Sequence, residues 1–66
     1  MVVKIIEILG VSPKSFEDAI AQGVSRASKT VKNITGVDVL GQTADVKNGK
    51  ITEYRVDMKL AFVVED

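Results

Sequence analysis

The chain has no histidine, no cysteine and no tryptophan. Without histidine or cysteine, most nucleophile–base pairs and transition-metal sites have no side chains to form from. Without cysteine there is also no disulfide to staple a small fold, a composition compatible with the cytoplasm. Lys and Arg number nine, Asp and Glu nine, so the basic excess of a general polyanion binder is missing and nucleic acid is not an expected partner. Apolar runs last only a few residues, far short of a membrane span. The N-terminal residues include Lys4 and Ile5-Ile6 but lack the apolar core and small-residue cleavage site of a signal peptide.

What is present is periodicity. From Ile51 to Asp66, Tyr54, Val56, Met58, Leu60, Phe62 and Val64 share one parity, and Glu53, Arg55, Asp57 and Lys59 the other. A period of two predicts a strand with one dry and one ionic face. Val2 to Val11 is a second strand, apolar on both sides: Val3, Ile5 and Leu9 face one way, Ile6 and Ile8 the other. A strand buried on both faces needs two covers, and 66 residues supply one. The other is expected to be another subunit.

Between them, Ser12-Pro13 reads as a helix start, with Ser12 as the N-cap and Glu17 and Asp18 suiting the positive end of the dipole. Phe16, Ala19, Ile20, Gly23, Val24, Ala27, Val31 and Ile34 follow a 3–4 spacing and predict an apolar stripe on a helix of about five turns. Gly23 within that stripe implies a close approach of helix and sheet. Gly36 to Val46 reads as a strand. Lys47-Asn48-Gly49-Lys50 then reads as a hairpin turn, since Asn-Gly accepts the two positive φ angles of a type I′ turn.

The order is β-α-β-β. The hairpin and the right-handed crossover place the last strand between the other two, antiparallel to both. The expected fold is α+β, one domain over residues 1–66, with a three-stranded antiparallel sheet wrapped around one helix. The final strand spans roughly 45 Å and the helix roughly 30 Å. The sheet must overhang its only helix, and a homo-oligomer is the economical cover.

Chemistry on the ionic strand face is sparse. Glu53, Arg55, Asp57 and Lys59 alternate in sign, which favours a cross-strand ion-pair ladder over catalysis. Gly10 before Ser12 is a weak phosphate-turn pattern that the capping reading absorbs. Phe16, Tyr54 and Phe62 all fall on core faces, leaving no base-stacking platform, although the Tyr54 hydroxyl sits where a surface or neighbouring subunit is within reach. No enzymatic activity is expected.

Taken together, several short patterns resemble the dodecins, small β-α-β-β proteins that assemble into hollow dodecamers. They are the apolar first strand ending in Gly10-x-Ser12, then Ser15-Phe16, Arg26-Ala27, Thr30-Val31-x-Asn33, Tyr54-x-Val56 and Ala61-Phe62, in that order and spacing along the whole chain. The resemblance implies a homododecamer with ligand sites between subunits, for which Gly36, Val37 and Arg55 are the candidates. Typical dodecins stack a flavin on a tryptophan at the position of Gly36 and read its polar edge with a glutamine at the position of Arg55. This chain has neither. Losing a stacked aromatic costs about 1–3 kcal/mol, and a guanidinium cannot accept a hydrogen bond. Arg55 can stack, hold an anion, or pair with Glu53, Asp57 or a carboxylate on an adjacent strand. Flavin (FMN or riboflavin) is therefore disfavoured, and the chain looks nearer to dodecin-like proteins without the tryptophan, calcium-associated ones included. Oxygen donors for calcium would be Asp38, Asp45, Asp57 and the terminal Glu65-Asp66, with no EF-hand-like loop among them.

Overall fold

The computed structural model describes residues 1–65. Strand β1 covers Val2–Ser12, helix α1 Phe16–Ala27, β2 Ile34–Lys47 and β3 Lys50–Val64. The sheet order is β1-β3-β2, antiparallel at both junctions. The expected α+β architecture, with the long last strand in the middle, is what the chain adopts. Asp66 lies outside the described residues.

Three boundaries differ from expectation. Ser12 does not cap the helix; it ends β1, and Ser15 is the cap, its Oγ accepting the Asp18 N–H at 2.9 Å. Ser12 is instead buried, donating to Asp18 Oδ2 at 2.6 Å and accepting the Lys14 N–H at 2.9 Å. Two serines three residues apart offered the same signal, and β1 extends far enough to claim the first. The helix is also shorter than the apolar stripe suggests. It stops at Ala27, where the Ser28 hydroxyl bonds back to the Val24 carbonyl at 2.7 Å and Asn33 adopts φ 64°. Val31 and Ile34 continue the spacing only in sequence. Finally, β2 begins at Ile34 rather than Gly36. The hairpin is as expected, with φ 54° at Asn48 and 76° at Gly49.

The core is small. Ala19, Val56, Met58 and Leu60 are fully buried, with Ile6, Ile8, Phe16, Ile20, Val24, Ala27 and Ile34 packed around them. Phe16 meets Tyr54 edge-on at 4.9 Å. Met58 is the keystone. Gly10 and Gly23 form a notch that holds its thioether end, and a Cβ at Gly10 would collide with the Ala19 carbonyl. The glycine in the helix marks a close approach to the sheet, as its position in the stripe implies: a Cβ at Gly23 would lie 3.0 Å from Met58 Cε and 3.2 Å from Ile8 Cδ1.

The helix lies chiefly over β1 and β3, with only the start of β2, at Ile34, joining the same core. At 12 residues it is about 18 Å long, beneath a sheet in a molecule 51 Å in its longest dimension. The overhang is therefore larger than the sequence lengths imply. The radius of gyration, 13.5 Å, exceeds the roughly 11 Å of a compact domain of this length. The exposed surface is 4798 Å², against about 4100 Å² for a compact monomer of this mass.

Candidate functional site

The sheet face turned away from the helix carries the chemistry. Strand alternation puts Val56, Met58 and Leu60 beneath the helix, so Arg55, Asp57, Lys59 and Ala61 point the other way. Register sorts their neighbours into rows: Ile5–Ala61–Gly36, then Glu7–Lys59–Asp38, then Leu9–Asp57–Gly41, then Val11–Arg55–Thr43. Asp45 lies opposite Glu53 beyond them. This face is apolar at the Ile5 end and ionic along its middle. On β1 it leaves Val3, Ile5, Leu9 and Val11 exposed, at 47%, 55%, 53% and 40% of full exposure. Val3, Ile5 and Leu9 are one of the two apolar faces read from the sequence of this strand, and it is the one the helix leaves bare.

Arg55 is held by two carboxylates. Its Nη2 lies 3.2 Å from Glu53 Oε2 and 3.7 Å from Asp45 Oδ2. Its Nε is buried without an acceptor among the described residues. The pairs are half-exposed, so each is worth at most about 1 kcal/mol. Glu53 and an adjacent-strand carboxylate were both among the partners expected for this arginine. Asp57 is not one of its partners.

Gly36, Val37 and Arg55 do not converge within one chain. Gly36 pairs with Ala61 and Arg55 is six residues earlier on the same strand, a separation of about 20 Å. Val37 pairs with the buried Leu60, so it belongs to the helix-side face. A shallow dip of about 370 Å³ lies at the Gly36 end, lined by Ile5, Gly36, Val37, Asp38, Lys59 and Ala61.

The candidate calcium donors are dispersed as well. Asp38 stands opposite Lys59 and Asp45 beside Arg55. Among the described residues no group of three or more metal-ligating side chains comes together. Asp57 does have one carboxylate neighbour, Glu7 from β1, diagonal to it across the sheet. A hydrogen bond between the two carboxyls, and then the Asp57 charge, raise the Glu7 pKa above its ordinary value of 4.5, with Lys59 opposing. Sequence reasoning passed over Glu7. Its signal was present: it shares the parity of Val3, Ile5 and Leu9, a charge on an otherwise apolar strand face.

The bare face thus belongs to an open three-stranded antiparallel sheet laid over one short helix in a β-α-β-β chain. The dodecin family model matches residues 2–65, and the chain belongs to the dodecin family. It is 42% identical over 62 residues to calcium dodecin of Mycobacterium tuberculosis, a match covering 92% of this chain and 86% of that one. The crystal structure of that organism's calcium-chelating calcium dodecin superposes with a TM-score of 0.85 at 38% identity, covering 98% of this chain and 93% of the other. Dodecin from Streptomyces coelicolor superposes at 0.95 with 26% identity, covering 98% and 93%. Among the described residues no helix is long and apolar enough to cross a membrane.

Proposed function

We propose that this chain is the repeating unit of a homo-oligomeric dodecin cage, a dodecamer, that binds small ligands or serves as a structural assembly without catalysing a reaction, and whose flavin-type site has lost its flavin-specific groups. The observation that carries the reading is the unclosed sheet. The lone chain exposes about 700 Å² more than a compact protein of its size, close to the roughly 800 Å² per partner of a standard interface. The uncovered surface includes the apolar side chains of β1. A cytoplasmic location suits the absence of cysteine.

Loss of flavin affinity rests on Gly36, which offers no stacking surface, and on Arg55, already occupied by Glu53 and Asp45. The test combines analytical ultracentrifugation with flavin fluorescence titration. A large, defined oligomer that leaves riboflavin and FMN fluorescence unquenched is the expected result. A monomer at all concentrations refutes the cage, and tight quenching refutes the degraded site.

A second reading is calcium binding, favoured by the facing carboxylates of Glu7 and Asp57 and by the name of the mycobacterial relative. Calcium takes six to eight oxygen ligands. Two carboxylates fit such a site only in part, and the remaining oxygens would come from water or from another subunit. Calcium bound at this pair raises the melting temperature by mass action, and Glu7→Gln abolishes the rise. A melting temperature indifferent to calcium and to chelator eliminates this reading.

A further inference from the structure

We propose that Asn48, at the tip of the β2–β3 hairpin, is a site of spontaneous deamidation. The sequence has two asparagines, Asn33 and Asn48, and both hold a positive φ, 64° and 54°. The residues that follow them differ. Asn33 precedes Ile34, which is β-branched and packed against the core, and its own carbonyl accepts the Val63 N–H at 3.1 Å. Asn48 precedes Gly49, where even an added Cβ would meet nothing within 4 Å. A glycine leaves its backbone nitrogen open to close approach, and asparagine is among the thermolabile side chains.

The step is a cyclisation. The Gly49 backbone nitrogen attacks Asn48 Cγ and loses its proton to solvent. The N–Cγ bond forms, the Cγ–Nδ2 bond breaks, and the leaving amide takes a proton back from solvent to depart as ammonia. The product is a succinimide, which water opens on either side. Opening at Cγ gives aspartate in the ordinary backbone. Opening at the main-chain carbonyl gives isoaspartate, with the backbone rerouted through Cγ. The net exchange is one water for one ammonia, and the chain gains one negative charge.

The fold supplies access and opportunity. Every residue from Asp45 to Thr52 is exposed. The register slips between Asp45 and Val46, and the Thr52 hydroxyl reaches the Asp45 carbonyl only at 3.4 Å. A segment exposed throughout opens locally at little cost, and opening lets Asn48 leave its turn angles and present Cγ to the next nitrogen. Lys47 and Lys50 face each other at the base of the turn, a destabilising like-charge pair. Among the described residues neither forms a salt bridge. The two ammonium groups favour the anion formed during attack, and an aspartate at residue 48 relieves their repulsion. Isoaspartate instead adds a backbone carbon to a two-residue turn and spoils its match to the strands.

The test incubates the intact protein at mildly alkaline pH below its melting temperature. Peptide mapping and enzymatic methylation of isoaspartate then read each asparagine. The expected result is aspartate and isoaspartate accumulating at residue 48, an intact amide at Asn33, and a lower melting temperature in the isoaspartate fraction. Asn48→Gly keeps the positive φ the turn needs and should abolish the new acidic species. Asn48→Asp supplies the ordinary-backbone product and should melt no lower than the parent. An amide that persists at residue 48 overturns the proposal, as does conversion of Asn33 at the same rate or an acidic species that forms equally in Asn48→Gly. A lower melting temperature for Asn48→Asp overturns the part assigned to the two lysines.

Discussion

Replacing Gly23 with alanine sets two effects against each other. An alanine inside a helix is favoured over glycine by about 1 kcal/mol. The new Cβ, however, would lie 3.0 Å from Met58 Cε, 3.2 Å from Ile8 Cδ1 and 3.4 Å from Met58 Sδ, where carbon–carbon contacts settle at about 3.5–4.0 Å. Met58 is fully enclosed, so its thioether cannot swing into solvent, and overpacking of this kind costs about 1–3 kcal/mol. The single variant is expected to lose about 0–2 kcal/mol, the difference between the two. Met58→Ala alone should cost about 2–5 kcal/mol through lost burial and the cavity left behind. In that background only the Ile8 Cδ1 contact at 3.2 Å remains, and Gly23→Ala should become stabilising by up to about 1 kcal/mol. Urea unfolding of the four proteins at one protein concentration measures the cycle. The expected coupling is about 1–3 kcal/mol, with a reversal of sign. Equal effects of Gly23→Ala in both backgrounds would show that the Met58 notch does not explain this glycine.

The other predictions concern polar groups. Ser12→Ala removes the hydroxyl that donates to Asp18 and accepts the Lys14 N–H; thermal melting should reveal a loss of about 1–3 kcal/mol, and an unchanged melting curve would mean that this buried link is dispensable. Glu7 has a raised pKa because its carboxyl hydrogen-bonds to Asp57 and the Asp57 charge repels it. The folded chain therefore binds this proton more tightly than the unfolded one, and the resulting stability is fully present below the ordinary value of 4.5 and lost as pH rises through the raised folded value. Relative to Glu7→Gln, the parent should melt highest at the acid end and lose ground toward neutral pH; a difference independent of pH contradicts the pairing. Arg55→Gln breaks two half-exposed ion pairs and should cost no more than about 2 kcal/mol, less in high salt. A larger, salt-insensitive loss on melting would point to a structural burden on Arg55 that its two ion pairs do not account for.

Periodicity and turn chemistry are local properties, and for that reason they were readable along the chain. The two-residue alternation of β3 anticipated Val56, Met58 and Leu60 beneath the helix, and the split of β1 into Ile6 and Ile8 against Val3, Ile5 and Leu9 anticipated one covered face and one bare face. Asn48-Gly49 marked the hairpin because few other dipeptides accept its backbone angles. Connection rules then left one simple strand order. Helix ends were less legible: Ser12 and Ser15 offer the same capping chemistry, and only the extent of β1 chooses between them.

Tertiary structure decided everything that depends on register and docking. Antiparallel pairing puts Glu7 diagonal to Asp57, fifty residues away in sequence, and holds Arg55 between Glu53 and Asp45. It also separates Gly36 from Arg55 along the sheet, the two residues that the resemblance implied as parts of one ligand site. Docking of the helix converts Gly10 and Gly23 into the notch for Met58. These contacts follow from long-range geometry that no sequence window contains. Composition and alternation determined that the chain would form a small open sheet on one helix with a face left bare. Packing alone distinguished Gly10 and Gly23, where a Cβ would crowd the Met58 thioether, from Gly36 and Gly41, where it would meet nothing closer than 4.0 Å.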